Sequence, residues 1–267
     1  MGFAWSAVGT VEVNGVRLGY RESGDRAGTP AVLLHGTGSS AGTWDRFAAR
    51  LAAAGYRAIA VDLRGHATSD RPGRYALSSL RDDVLGLLET FALRDTVLIG
   101  HSVGGHAALA AALHAPGRVA RLVLEDLAAP PRLSPRPSPR LWPRLPAGPR
   151  GINPFQVLAA AAGILTARRD YDLRALGSIL RQLSRPDPAW WARLGEVRHP
   201  TLILSGGPAS PIPPRRLAEA TLAIPGARLA TIPVGHRVHS LAPDRFATEV
   251  LGFLGRPSWG ALESRAA

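Results

Sequence analysis

The 267-residue chain contains no cysteine and no lysine, a single methionine, and only two asparagines and two glutamines. Without thiols, disulfide frameworks, thiolate metal sites and cysteine nucleophiles are all excluded. With no lysine, all 32 basic residues are arginine, set against 20 acids for a formal net charge of +12. That composition fits GC-rich codon usage better than a surface selected for phosphate contacts. The excess is uneven, because residues 127–198 hold 12 arginines and four acids. No recognisable nucleic-acid-binding motif accompanies it, so no nucleic-acid partner is expected. Long apolar runs are also missing: nothing approaches the roughly 18 residues of a membrane-spanning helix. The first residues lack the basic start and apolar stretch of a secretion signal. Gly2 and Ser6 fit only the loose pattern for myristoylation. A soluble, cytoplasmic protein with no membrane partner is the expectation.

What is present is an ordinary globular composition, 46% hydrophobic and 19% charged. A chain of this size buries enough surface for one large α/β domain without a covalent staple. Strand-like and helix-like patterns alternate for most of its length, as in a mainly parallel sheet covered by helices. The start differs, since residues 8–13 and 16–22 flank Asn14-Gly15, a strong two-residue hairpin signal. Further strands are predicted at 31–34, 57–61, 96–99, 119–124, 201–204 and 228–232, eight in all. Helices are predicted at about 43–53, 78–93, 102–115, 214–223 and 243–254.

Between the sixth and seventh strands lies an insertion, residues 127–199. It splits the core into residues 1–126 and 200–267. Its front segment, 130–151, holds eight prolines, which forbid a helix and favour extended backbone. Arg132, Arg136, Arg140 and Arg144 are interleaved there. Helices are predicted behind it at 154–167, 173–183 and 188–194. The first and last open on Asn153-Pro154 and Asp187-Pro188, a capping residue followed by proline at the first helical position.

The feature with the clearest chemistry is Gly100-His101-Ser102-Val103-Gly104, between a strand and a helix. Glycines two before and two after a serine permit a sharp, strained turn that lifts the hydroxyl above the sheet, over a helix N-terminus that favours negative charge. Three further motifs follow in order: His35-Gly36-Thr37-Gly38 after the third strand, Asp62-Leu63-Arg64-Gly65-His66 after the fourth, and Gly235-His236 after the eighth. In these motifs, their order and their spacing the chain resembles the α/β-hydrolase superfamily, in its serine-nucleophile branch. That resemblance implies an α/β fold, an eight-stranded, mostly parallel sheet flanked by helices, with a helical cap inserted after the sixth strand and a site beneath it.

By the same resemblance Ser102 is the nucleophile and His236 its general base. A serine hydroxyl needs an imidazole to take its proton and return it to the leaving group. His239 is a nearby rival, but only His236 directly follows the glycine. The oxyanion would be held by the backbone N–H groups of Val103 and Thr37. His35, His66, His101 and His106 read as structural. No carboxylate or third histidine stands at ligand spacing, so no metal is expected, and no cofactor is needed.

The triad acid departs from the common pattern. The loop after the seventh strand reads Ser205-Gly206-Gly207-Pro208-Ala209-Ser210, with Ala209 where many relatives carry aspartate. Other branches take the acid from the end of the sixth strand, where this chain has Glu125-Asp126. Consecutive strand residues face opposite ways, so only one of them can serve His236. Asp126 is favoured by its register with Pro130, Glu125 is the alternative acid, and a dyad without an acid stays open. The implied chemistry is acyl transfer to water from a small ester or thioester. C–C bond hydrolysis and a non-hydrolytic cyclase or lyase are the alternatives. Phe155, Trp190 and Trp191 are candidate substrate-binding residues of the cap. An acidic carrier protein is a candidate partner for the arginine-rich front edge.

Overall fold

The computed structural model describes residues 5–132 and 170–255. Its centre is an eight-stranded sheet in the order β1-β2-β4-β3-β5-β6-β7-β8. β1 (Ala7–Val13) and β2 (Val16–Ser23) form the antiparallel hairpin expected from Asn14-Gly15. Both turn residues have positive φ, 50° and 69°, the conformation that matches the strand twist in such a turn. β2 pairs antiparallel with β4 (Tyr56–Val61), and every later pairing is parallel.

The parallel strands are β3 (Thr29–Leu34), β5 (Thr96–His101), β6 (Val119–Glu125), β7 (Thr201–Ser205) and β8 (Arg228–Thr231), together with β4. Their near-continuous apolar runs are explained by burial on both faces. Leu33, Ile99, Val123 and Leu204 point to one side, where Trp44, Phe47 and Phe246 close the core. That side is covered by α1 (Asp45–Ala53) and the last described helix, Pro243–Leu254. Leu34, Leu98, Leu124 and Ile203 point to the other side, against α2 (Leu77–Thr90) and α3 (Val103–His114).

Between β6 and β7, α4 (Leu173–Leu183) and α5 (Pro188–Arg193) form as expected. Asp172 and Asp187 cap them, accepting from the Arg174 and Trp190 N–H groups. The predicted helix at 154–167, Phe155 and residues 133–151 of the front segment lie outside the described residues. After β7 come α6 (Pro214–Ala223) and α7 (Val238–Leu241), the latter a single turn that the sequence pattern did not signal, and then α8 (Pro243–Leu254).

The registers Leu34↔Gly100, Gly100↔Leu124, Glu125↔Leu204 and Ser205↔Thr231 bring the carboxyl ends of five strands level. In such sheets the crevice outside those ends is where ligands bind. One side of it is braced by a buried ion pair, Arg64 with Asp83, 6% and 1% exposed. Asp83→Leu should therefore strand a guanidinium in the core and lower stability by about 3–5 kcal/mol in urea unfolding. Arg64→Met combined with Asp83→Leu should recover most of that loss.

Candidate active site

Ser102 joins β5 to α3 with φ 52° and ψ −115°, a left-handed conformation costly for a residue with a side chain. The glycines around it make the turn possible. A Cβ on Gly100 would come within 2.4 Å of the Gly104 carbonyl, and one on Gly104 within 2.3 Å of the Leu34 oxygen. The Ser102 N–H donates to the Glu125 carbonyl at 2.9 Å. Val103 is the first residue of α3, so its N–H has no carbonyl one turn earlier.

The loop after β3 lies directly against this turn. A Cβ on Gly36 would stand 3.2 Å from the Ser102 Cβ and 2.5 Å from His101 Nδ1. His35 donates from Nδ1 to the Gly36 carbonyl at 2.8 Å and accepts the Leu63 N–H on Nε2 at 3.0 Å. His66 uses the same two nitrogens but links the loops the other way, donating to the β4 loop and accepting from the β3 loop. It donates from Nδ1 to the Arg64 carbonyl and accepts the Gly38 N–H on Nε2, each at 3.1 Å. Burial, then the nearby His66, holds His35 well below the usual imidazole value, and burial lowers His66 despite its carbonyl partners. Thr37, between these anchors, is half-buried.

Asp126 and Glu125 at the end of β6 turn to different imidazoles. Asp126, with φ 45° and no exposure, accepts from His236 Nδ1 at 2.5 Å. Its other partners are the Gly206 N–H at 3.0 Å and the Ser210 hydroxyl. Glu125, also fully buried, accepts from His239 Nδ1 at 2.6 Å and from the His239 N–H at 2.9 Å. His239 Nε2 meets Thr43 Oγ1 at 2.7 Å, and its ring stacks on Trp44 at 4.2 Å. Burial pushes the Glu125 carboxyl up, but His239, His101 and the two bonds from His239 together hold it below the usual carboxylate range.

His101 donates from Nε2 to the His236 carbonyl at 2.8 Å, tying the serine turn to the imidazole loop. Burial lowers His101 to about 4. His106 is lowered to about 4 by the same cause, and it stacks on Trp190 at 5.7 Å. Trp191 donates to the Pro130 carbonyl at 2.9 Å. Both tryptophans are buried in packing, Trp190 also lining a cavity of about 280 Å³ with Leu77, Arg81 and His106.

With its Nδ1 proton committed to Asp126, His236 keeps Nε2 as the basic nitrogen, on a ring that is 30% exposed. A carboxylate-held imidazole, a strained serine and a helix N-terminus at one sheet edge form an arrangement suited to general-base-assisted attack by a hydroxyl. Ser210 and Gly206, which hold Asp126, were not singled out from sequence. Their signal was the small, polar composition of the loop where an acid is commonly found. Among the described residues no group of three or more His, Cys, Asp or Glu side chains could hold a metal ion. None of the described helices is long and apolar enough to cross a membrane.

Sheet order and serine turn together define the hydrolase class of α/β proteins. Residues 31–249 match the Alpha/beta hydrolase family, and the chain belongs to it. It is 32% identical over 219 residues to the 2-hydroxy-6-oxononadienedioate/2-hydroxy-6-oxononatrienedioate hydrolase of Paraburkholderia xenovorans (strain LB400), covering 72% of this chain and 74% of that one. It is 42% identical over 127 residues to the non-heme chloroperoxidase of Streptomyces lividans, a match spanning 46% of each chain and so less than half of that relative. The crystal structure of the enol-lactonase from Burkholderia xenovorans LB400 superposes with a TM-score of 0.73 at 25% identity, covering 93% of this chain and 100% of that one.

The buried imidazoles make stability depend on pH. His101 and His106 stay neutral down to about 4 in the folded chain, whereas their unfolded counterparts take up protons below 6.5. The unfolded state thus binds more protons in that window, and stability should fall as pH drops from 6.5 toward 4. Each histidine should contribute a slope of up to about 1.4 kcal/mol per pH unit. Urea midpoints at pH 7, 6 and 5 would measure this, and His106→Gln should flatten the profile.

Proposed function

We propose that the protein is a serine hydrolase of small-molecule esters or thioesters, acting through Ser102, His236 and Asp126 by way of an acyl-enzyme. The observation that carries this reading is the strained Ser102 turn at the same sheet edge as the 2.5 Å Asp126–His236 contact. Similarity to an enol-lactonase, named for a cyclic ester, supports ester chemistry.

In this mechanism Ser102 Oγ attacks the acyl carbonyl while His236 Nε2 takes the hydroxyl proton. The oxyanion is received by the N–H groups of Val103 and Thr37, preset by the helix start and by the anchored loop. Collapse breaks the bond to the leaving alcohol or thiol, which takes the proton from His236. A water molecule then attacks the acyl-enzyme as His236 accepts its proton. The second collapse frees the acid and returns the proton to Ser102. Asp126 orients the ring and offsets the imidazolium charge, while Gly206 and Ser210 hold the carboxylate in place. Residues 127–199 are read as the cap over this site, with Phe155 as its candidate apolar substrate contact, while Trp190 and Trp191 are packed in the core and serve the cap's structure. The arginine-rich front edge would receive an acidic carrier protein or an anionic acyl group. A second reading, hydrolysis of a C–C bond beside a ketone, is favoured by the similarity to the oxononadienedioate hydrolase.

Intact-protein mass after treatment with a small fluorophosphonate tests the nucleophile. One adduct is expected on the wild type and none on Ser102→Ala. With p-nitrophenyl butyrate or an acyl thioester, Asp126→Asn should lower kcat by roughly 10⁴-fold. Glu125→Gln should cost far less. An unlabelled wild type, under conditions that label an ordinary esterase, would overturn the reading.

A further inference from the structure

On its way back from the segment after β6 the chain docks on the Gly65–Ala67 turn before it enters α4. The Ala67 N–H donates to the Asp170 carbonyl at 2.5 Å, and the Asp172 N–H to the Gly65 carbonyl at 2.7 Å. His66 and Tyr171 form an antiparallel bridge, and their rings stack at 5.8 Å with 23° between planes. Tyr75 secures the joint by donating to Asp172 at 2.7 Å. Ala67 sits at φ 40° without being glycine, so the turn holds a costly conformation at the point where the returning chain bonds to it.

The other edge of His66 faces the oxyanion loop. Its Nε2 accepts the Gly38 N–H, and its Nδ1 proton is committed to the Arg64 carbonyl. The Tyr171 ring also lies 3.6 Å from where a Gly38 Cβ would stand. The peptide carrying the Gly38 N–H is planar and begins at Thr37. The Thr37 N–H lies in the preceding peptide, whose Gly36 carbonyl accepts from His35 Nδ1, so holding the following peptide as well confines both φ and ψ of Thr37 between two anchored planes. Burial keeps His66 neutral, as an acceptor on Nε2 requires.

We propose that His66 is a positioning residue for the reaction, transmitting the docking of residues 170–172 to the oxyanion loop, so that the Thr37 N–H is aimed at the oxyanion only while that segment is seated. This rests on the reading of Ser102 as nucleophile and Thr37 as oxyanion donor. A donor aimed at the oxyanion acts on the transition state, so its loss falls on kcat and spares KM.

The test compares His66→Leu, which cannot accept the Gly38 N–H, with His66→Gln, which can, and with Tyr171→Ala, which removes the stacked ring and leaves His66. With p-nitrophenyl butyrate, His66→Leu should lower kcat by about 10²-fold with KM nearly unchanged. His66→Gln should recover about tenfold of that, and Tyr171→Ala should lower kcat by about tenfold. Amide hydrogen exchange of residues 35–40 should accelerate in both His66→Leu and Tyr171→Ala. Equal losses in the leucine and glutamine variants, a loss confined to KM, or unchanged exchange in Tyr171→Ala would overturn the coupling. If His66→Leu does not fold, Tyr171→Ala decides by kcat and exchange. A wild type without an adduct at Ser102 would instead refute the hydrolase reading, while the exchange result still judges the coupling.

Discussion

A Cβ atom at Gly104 would stand 2.3 Å from the Leu34 oxygen and 2.7 Å from that of His35, and its absence lets α3 start directly beneath the end of β3. The rest of the sheet edge follows from that close approach. α3 can begin at Val103 only if Ser102 takes up the turn at φ 52°. Gly36 then fits against the serine, because it too lacks a side chain that would collide with His101. Missing Cβ atoms at Gly104, Gly36 and Gly100 thus bring a nucleophilic side chain, a helix N-terminus and a loop of backbone N–H groups to one place. The strain at Ser102 is sustained by the hydrogen bonds on either side of it, from its N–H to Glu125 and from the His106 N–H to its carbonyl.

Around this point the chain uses histidine where other proteins use amide side chains. With two asparagines and two glutamines in the whole sequence, bridging between distant backbone groups falls to imidazoles. His35 ties Gly36 to Leu63, His66 ties Gly38 to Arg64, and His101 reaches the His236 carbonyl. A neutral imidazole offers one donor and one acceptor on opposite sides of a rigid ring, so each bond made fixes the tautomer and the other bond. Six of the eight histidines are buried. His236, by contrast, commits only Nδ1 among the described residues, on a partly exposed ring.

The end of β6 distributes two carboxylates between two histidines of the same loop. Asp126 takes His236 and Glu125 takes His239, so this stretch is gripped at two points three residues apart by adjacent carboxylates at the end of β6. The second pair reaches through Thr43 and Trp44 into the core beside α1 and gives the loop a rigid base. Both carboxylates are fully buried, and each is matched by at least two donors, the condition under which a buried charge is tolerated.

Much of this was legible in the chain itself. Asn14-Gly15 specified the hairpin, the β-branched and leucine runs specified strands buried on both faces, and glycines at 100 and 104 marked the serine turn. These are local patterns, whose physical cause acts over a few residues. The partner of His236 was not local. Alternation along β6 showed that Glu125 and Asp126 must part company, but Asp126 lies just past the strand at φ 45°, where alternation no longer says which way a side chain turns. Ser210 and Gly206, roughly eighty residues further on, become its partners only because β7 pairs beside β6. Likewise Tyr171 meets His66 only because residues 170–172 pair with the turn after β4. Sequence determined which segments turn, extend or coil and which side chain is presented on the turn. Tertiary structure decided which buried groups meet, because burial forces each polar atom to find a partner wherever the packing brings one.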